Sequence, residues 1–299
     1  MTAAFTRYAQ TQSFVCGRDG RKIGSAVASV NPRLRDASGS PIGHIGQLEA
    51  ESPDALAPVL SACESHLRGQ SVHSVWAPST GGAHRPHRLM TAGFETAAHL
   101  GEPRNPRWLP TALAQHGYSV QHAWSGYDLE PDQVQAFHAR CASAASDPAL
   151  TGRYGVEFPD FGDTVSLAAR LHPLLDCVWA SHFGYAPMDR DELVQQMPGM
   201  LTFMQPGDLA ILRDRRSGAD AGIAYVMRDA AIGRILLHTI AVSAAVRKTG
   251  AAYLLMEAGL GIGVRTGLPA IAVLVDQSFR AFDRISSPTR SYAVYGKKL

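Results

Sequence analysis

The chain has 299 residues, 45% hydrophobic and 18% charged, a balance that builds a packed core and excludes a disordered polymer. With 28 Lys and Arg against 26 Asp and Glu, the net charge is +2, so the basic body of a nucleic-acid-binding protein is absent. Cys16, Cys63, Cys141 and Cys177 stand singly with no CxxC pair, which argues against a zinc knuckle or a disulfide framework, and no run approaches the apolar length of a membrane span. A soluble, cytoplasmic protein without a secretory leader is expected.

In chain order, residues 12–50 read as strands broken by turns at Arg18-Asp19-Gly20 and at residues 36–40, with residues 22–30 and 42–50 as paired strands. Ser52-Pro53-Asp54 opens a helix in which Leu56, Val59, Leu60, Cys63 and Leu67 recur at helical spacing. A short strand at residues 71–76 precedes a Gly-, Pro- and His-rich loop that runs to Pro106. Residues 109–116 then form a short helix, followed by a strand ending near Leu129. In the second half, helices are predicted at residues 131–145, 165–183 and 189–197. Strands are predicted at 208–212, 221–227 and 233–242, a helix at 249–262 and a strand at 270–275. A helix at 278–285 and a strand at 292–295 close the chain. The alternation gives an α+β fold of two domains, residues 1–129 and 130–299, each a mixed, mostly antiparallel sheet flanked by helices.

The segment richest in chemistry is residues 236–252, L-L-H-T-I-A-V-S-A-A-V-R-K-T-G-A-A. An apolar strand ends at Val242, a loop follows, and a helix opens near Thr249 and Gly250. A helix N-terminus presents unpaired N–H groups and partial positive charge, which suits phosphate. Arg247 and Lys248 add charge, Gly250 lets a phosphate approach the backbone, and Ala251 and Ala252 keep the first turn slim. The competing reading is an ordinary strand–turn–helix with two surface cations.

This segment resembles the acetyl-CoA motif of GNAT acyltransferases, commonly V-x-x-x-x-R-G-x-G-x-G/A. V-L-V-D-Q-S-F-R-A-F and R-S-Y-A-V-Y-G-K-K-L resemble that superfamily's later strands. H-F-G-Y-A-P-M-D-R-D-E-L, at residues 182–193, is similar to a segment of tandem GNAT-like bacterial proteins, as are V-N-P-R-L-R-D, I-G-H-I-G-Q-L-E and P-R-N-P-R-W-L in the first half. The resemblance implies that Ile240, Ala241 and Val242 offer backbone groups to the thioester and pantetheine arm. It implies that Val246, Arg247, Lys248, Thr249, Gly250, Ala251 and Ala252 bind the pyrophosphate. Two positions depart from the pattern: Asp276 stands where Asn often meets the pantetheine arm, and Asp283 where many members place the Tyr that protonates the leaving thiolate. The first half has only Ala50, Glu51 and Ser52 between strand and helix, and its carboxylates would repel a pyrophosphate. It is read as a degenerate GNAT-like domain.

His238 shares a strand face with Ile240 and Val242 and can take a proton from an ammonium acceptor; the alternative is a strand histidine satisfied by its neighbours. His84-Arg85-Pro86-His87 lacks a third ligand, so no metal is predicted. Trp179, His182, Phe183 and Tyr185 are candidates for an acceptor pocket or for core. Gly259, Gly261 and Gly263 miss the G-x-G-x-x-G spacing and sit at a helix end, and no G-x-S-x-G elbow occurs. The resemblance implies an N-acyltransferase that moves an acyl group from acetyl-CoA, another acyl-CoA, or carrier-protein phosphopantetheine to a small-molecule amine by direct attack. The alternative is a non-catalytic acyl-CoA-binding module. An acyl carrier protein is a candidate partner, nucleic acid and membrane are not expected, and a homodimer is left open.

Overall fold

A computed structural model describes residues 4–299. Strands β1 (Gln10–Arg18) and β2 (Arg21–Arg35) join at Asp19 and Gly20, whose φ values of 53° and 76° suit the twist of a two-residue hairpin. β2 runs past Val30 to Arg35 because β3 (Pro41–Ala50) pairs along it. Helix α1 (Pro53–Gly69) starts where the sequence predicts: the Ser52 hydroxyl accepts the Ala55 N–H at 3.2 Å, and Leu56, Val59, Leu60, Cys63 and Leu67 are buried. Next come β4 (Ser74–Ala77), β5 (Leu89–Ala92), α2 (Leu109–Gln115) and β6 (Ser119–Leu129). Glu130 and Gln133 form a reciprocal capping box at the start of α3 (Pro131–Ala145).

The chain continues through α4 (Pro148–Arg153), β7 (Tyr154–Glu157), α5 (Thr164–Trp179) and α6 (Arg190–Leu201). Then follow β8 (Leu209–Asp214), β9 (Asp220–Asp229), β10 (Arg234–Val242), α7 (Ala252–Thr266), β11 (Ala270–Asp276) and β12 (Arg290–Lys298). Three expectations need correction. β5, α4 and β7 lie where the sequence analysis placed no element. α5 ends at Trp179, short of residue 183. The helix expected over residues 278–285 is a single 3-10 turn at Phe282–Arg284, because the Asp276 carboxylate captures the Ser278 N–H and hydroxyl in a turn of its own.

The chain divides into two compact units. The first holds Met1–Trp124, His182–Met188 and Arg290–Leu299; the second holds Ser125–Ser181 and Asp189–Thr289. In the first, the strand order is β1-β2-β3-β4-β12, then the part of β6 up to Trp124, with β5 on β12. α1 buries its apolar face with Ala26, Ala28 and Ile45 of this sheet. In the second, the rest of β6 is followed by β11-β10-β9-β8-β7. Within each unit the pairing is mixed: β3–β4 and β10–β11 are parallel, whereas β2–β3, β9–β10 and β8–β9 are antiparallel. In each, a hairpin leads through a helix, α1 or α7, to the next, parallel strand. That is a β-β-α-β order used twice.

Candidate functional site

The second unit brings the predicted residues of 238–252 together at the end of β10. This strand pairs with β9 along its length, as far as Val242 opposite Gly222. Its parallel pairing with β11 covers only Ile235–Leu237 against Ala270–Ala272. Both strands run on, to Val242 and Asp276, so beyond Leu237 this edge of β10 has no strand partner. Two irregularities accompany the parting: His238 is the extra residue of a bulge opposite β9, and Leu274 in β11 has φ of 56°. Ile240 and Val242 are half-buried and Ala241 is buried, so their main-chain groups, rather than their side chains, are what this edge can offer a ligand.

His238 is half-buried. Its Nδ1 lies 3.1 Å from the Thr239 hydroxyl, and its ring stacks on Tyr225 at 4.9 Å. The Thr239 contact and the stacking fix the imidazole plane. Burial raises the Tyr225 hydroxyl's pKa against a smaller opposing hydrogen bond to Thr239, so Tyr225 stays neutral beside the imidazole.

From Ser243 the chain enters a loop held by its own backbone. The Ser243 carbonyl accepts Val246 and Arg247 N–H groups, and the Val246 carbonyl accepts the Thr249 hydroxyl at 2.7 Å. Val246 and Ala251 are buried against Leu150, Leu212 and Leu255 and pin the loop to the sheet. Arg247 and Lys248 are exposed, with Arg247 Nη2 donating to Ser181 Oγ at 2.7 Å. Helix α7 begins at Ala252, not at Thr249, and its N-cap, Ala251, gives it no side-chain cap. α1 of the first unit differs: Ser52 caps it, and Glu49 and Glu51 are paired with Lys22 and Arg21. The uncapped, cation-bearing helix start is the one at residue 251. Its neighbour Tyr253 is 44% exposed, so the first turn is less slim than the two alanines suggest.

Lys248 and Gly250 both adopt left-handed backbone, with φ of 68° and 84°. Glycine meets this at no steric cost; a lysine is strained there. Replacing Lys248 by Gly should therefore stabilise the protein by roughly 0.5–1 kcal/mol, the relief of strain outweighing the entropy glycine adds to the unfolded chain. A chemical-denaturation midpoint that falls instead would show that the Lys248 side chain contributes more than its backbone costs.

Asp276 closes β11 with Oδ1 accepting Ser278 N–H and hydroxyl at 2.8 and 2.6 Å. Asp283 accepts the Tyr127 hydroxyl at 2.6 Å and Arg280 at 3.1 Å, bonds that hold its carboxyl below the usual range. The Tyr127 phenol, pushed up to about 12 by burial and Asp283, is a buried structural donor. Sequence reasoning did not foresee it, because residue 127 reaches Asp283 only through the sheet. Within the first unit, His182 and Tyr185 border a cleft of about 510 Å³ with Trp76, Arg35 and Lys298. Phe183 stacks between Trp76 and His122, at 4.6 and 4.5 Å. Among the described residues no group of three His, Cys, Asp or Glu is placed to hold a metal, and no helix is long and apolar enough to cross a membrane.

No protein-family model matches the chain, and no curated protein sequence matches it. Solved structures do. A tandem GNAT protein from the clavulanic acid biosynthesis pathway, solved without AcCoA, is 13% identical with a TM-score of 0.52, over 97% of this chain and 83% of its own. A GCN5-related N-acetyltransferase from Sphaerobacter thermophilus is 13% identical with a TM-score of 0.50, over 94% and 78%. A GCN5-related glucosamine N-acetyltransferase region of a fungal multi-domain β-N-acetylglucosaminidase is 12% identical with a TM-score of 0.54, over 98% of this chain and 34% of that one. At such identities the likeness is one of fold: this chain has the fold of GNAT acetyltransferases, including tandem ones.

Proposed function

We propose that this chain is an N-acyltransferase that moves an acyl group from an acyl-CoA thioester to the amine of a small molecule. The observation that carries the reading is the early end of the β10–β11 pairing beside a helix start that has cations and no side-chain cap. A pantetheine arm lying along the bare edge of β10 would receive main-chain hydrogen bonds from 240–242. A pyrophosphate would meet the N–H groups of 248, 250 and 252, since those of 247, 249 and 251 are bonded within the loop, together with the Arg247 and Lys248 side chains. The unprotonated amine attacks the thioester carbonyl carbon, the carbon–sulfur bond breaks, and CoA leaves as a thiolate that is then protonated. His238 takes the proton the amine sheds. The β10 backbone holds the carbonyl oxygen as it gains charge. The transfer is direct, with no acyl-enzyme. In this reading the first unit, which holds most of residues 1–129 together with 182–188 and 290–299, is a degenerate GNAT-like domain, since its corresponding helix start is occupied by its own cap.

Calorimetric titration with acetyl-CoA tests the donor. Arg247→Glu reverses the charge beside the pyrophosphate and should weaken binding about tenfold or more, as loss of a charge-assisted contact plus repulsion predicts. Equal affinity in the variant would remove residues 247–252 as the phosphate cradle. Absence of acetyl-CoA binding in the wild type would turn the reading to a carrier-protein thioester, a donor without an adenosine pyrophosphate. Tight binding with no turnover of any amine would favour an acyl-CoA-binding module.

A further inference from the structure

The cleft of about 510 Å³ is lined entirely by residues of the first unit, on the sheet face that α1 leaves uncovered. Alternation along the strands puts it there. Gly43, Val75 and Tyr295 pack toward α1, and Lys297 Nζ donates to both carboxylate oxygens of Glu64 in that helix at 3.0 and 3.1 Å. Their chain neighbours Ile42, Trp76, Gly296 and Lys298 are on the opposite face and line the cleft. Trp76 is held in place there. Its indole stacks on Phe183 at 4.6 Å and lies close over β12, where Gly296 is its partner in register. A Cβ at residue 296 would stand 3.0 Å from Trp76 Cδ1 and 2.6 Å from Gln121 Cγ, so only glycine lets the two side chains close over the strand between them.

The charges that line the cleft do not cancel. Arg35, Lys297 and Lys298 are cations, and Asp36 is the one carboxylate among the lining residues. Lys297 is neutralised by Glu64 from the α1 side. Asp36 is occupied: its Oδ1 accepts the Ser38 N–H, the Ser38 hydroxyl and the Ser40 N–H at 2.9, 2.6 and 3.0 Å. Those bonds, the Ser38 hydroxyl first, hold its carboxyl below the usual range, and Lys298 adds a smaller pull. Among the described residues Arg35 has one side-chain hydrogen bond, from Nη1 to the Gly39 carbonyl at 2.9 Å, and neither Arg35 nor Lys298 has a carboxylate within ion-pair distance. Both are exposed, so both can reach an anion without being desolvated first. A concave site with an aromatic and aliphatic wall and two uncommitted cations suits a molecule with an acidic group on a flat apolar body.

We propose that this cleft binds a small organic anion, whose flat apolar body packs on Trp76 and whose acidic group is met by Arg35 and Lys298. The site lies wholly in the first unit and does not depend on the acyl-transfer reading of the second. It gives the unit without a phosphate loop a binding role of its own.

The test uses two fluorescent probes that share one aromatic body: anilinonaphthalene sulfonate, an anion, and its neutral parent phenylnaphthylamine. Each is titrated into the full chain and its emission followed. The anionic probe should bind more tightly than the neutral one. The double variant Arg35→Glu with Lys298→Glu should weaken the anionic probe about tenfold or more, as two reversed charges beside a bound anion predict, and leave the neutral probe unchanged. Both substitutions fall at exposed positions, and circular dichroism confirms that the variant is folded. Arg247→Glu, at the donor loop of the second unit, should leave both probes unaffected. Four results overturn the proposal: no binding of the anionic probe, equal affinity for the two probes, an unchanged affinity in the double variant, or a loss in Arg247→Glu that places the anion at the donor loop instead.

Discussion

Replacing Glu102 by Ala should destabilise the first unit by about 3–5 kcal/mol, the cost of leaving a buried charge without its partner. The Glu102 side chain is 0% exposed; it accepts hydrogen bonds from three residues and forms an ion pair with Arg290. Arg290 Nε lies at 3.1 Å, Arg104 Nη2 donates at 2.7 Å, the His99 N–H at 3.3 Å, and the Tyr292 hydroxyl also donates. Arg290 itself is 4% exposed in its side chain. Its Nη2 also donates to the Ala97 carbonyl at 3.2 Å. Without Glu102 the buried Arg290 guanidinium loses this carboxylate, and the Tyr292 hydroxyl loses its charged acceptor. Glu102→Gln keeps the shape and some of the hydrogen bonds, so it should cost less. Urea unfolding followed by circular dichroism gives the comparison. A loss under about 1 kcal/mol for Glu102→Ala, the range of exposed pairs, would mean that water enters and solvates Arg290.

Substituting His238 by Ala should lower kcat by about 10²-fold or more while leaving the affinity for acetyl-CoA nearly unchanged, as expected when a positioned general base is removed from an otherwise intact site. The proposed binding of the donor uses main-chain groups of β10 and the loop at 243–251, neither of which depends on the imidazole. Steady-state kinetics with saturating acetyl-CoA and an accepted amine separates the two effects. If kcat is untouched, the proton leaves by another route and His238 is a strand residue held by Thr239 and Tyr225. If instead acetyl-CoA affinity collapses, the bulge at His238 is what shapes the donor edge.

Local signals carried much of the fold. Ser52 before Pro53, and Glu130 with Gln133, are caps whose chemistry lies within one turn of helix, so the sequence displays them directly. The strand and helix within 234–266 were legible from their runs of apolar residues, though the helix starts three residues later than the sequence suggests. Elements whose stability comes from distant partners were not. β5 is four residues long and exists because Met90 and Leu89 pair with Tyr292 and Ala293, some 200 residues onward. β7 likewise pairs with β8 across the intervening helices. The predicted helix over 278–285 failed because one side chain, Asp276, outcompetes it for the Ser278 N–H. At the site, the residue types of 246–252 could be read in advance. Where β10 and β11 part could not, since it turns on a bulge at His238 and a left-handed Leu274 that no residue preference announces.

The position of β12 bears on how the chain is made. Its residues, Arg290–Lys298, belong to the first unit and lie between β4 and β6 in that sheet. Domains usually fold in the order the ribosome releases them. Here the earlier-synthesised unit cannot close its sheet, bury Tyr292 or neutralise Glu102 with Arg290 until the whole second unit has emerged. Residues of β4 and β6 must wait, with open edges, through about 160 residues of further synthesis, several seconds at typical elongation rates. The second unit, whose strands from β7 to β11 arrive consecutively, is under no such delay, so translation order and folding order run in opposite directions.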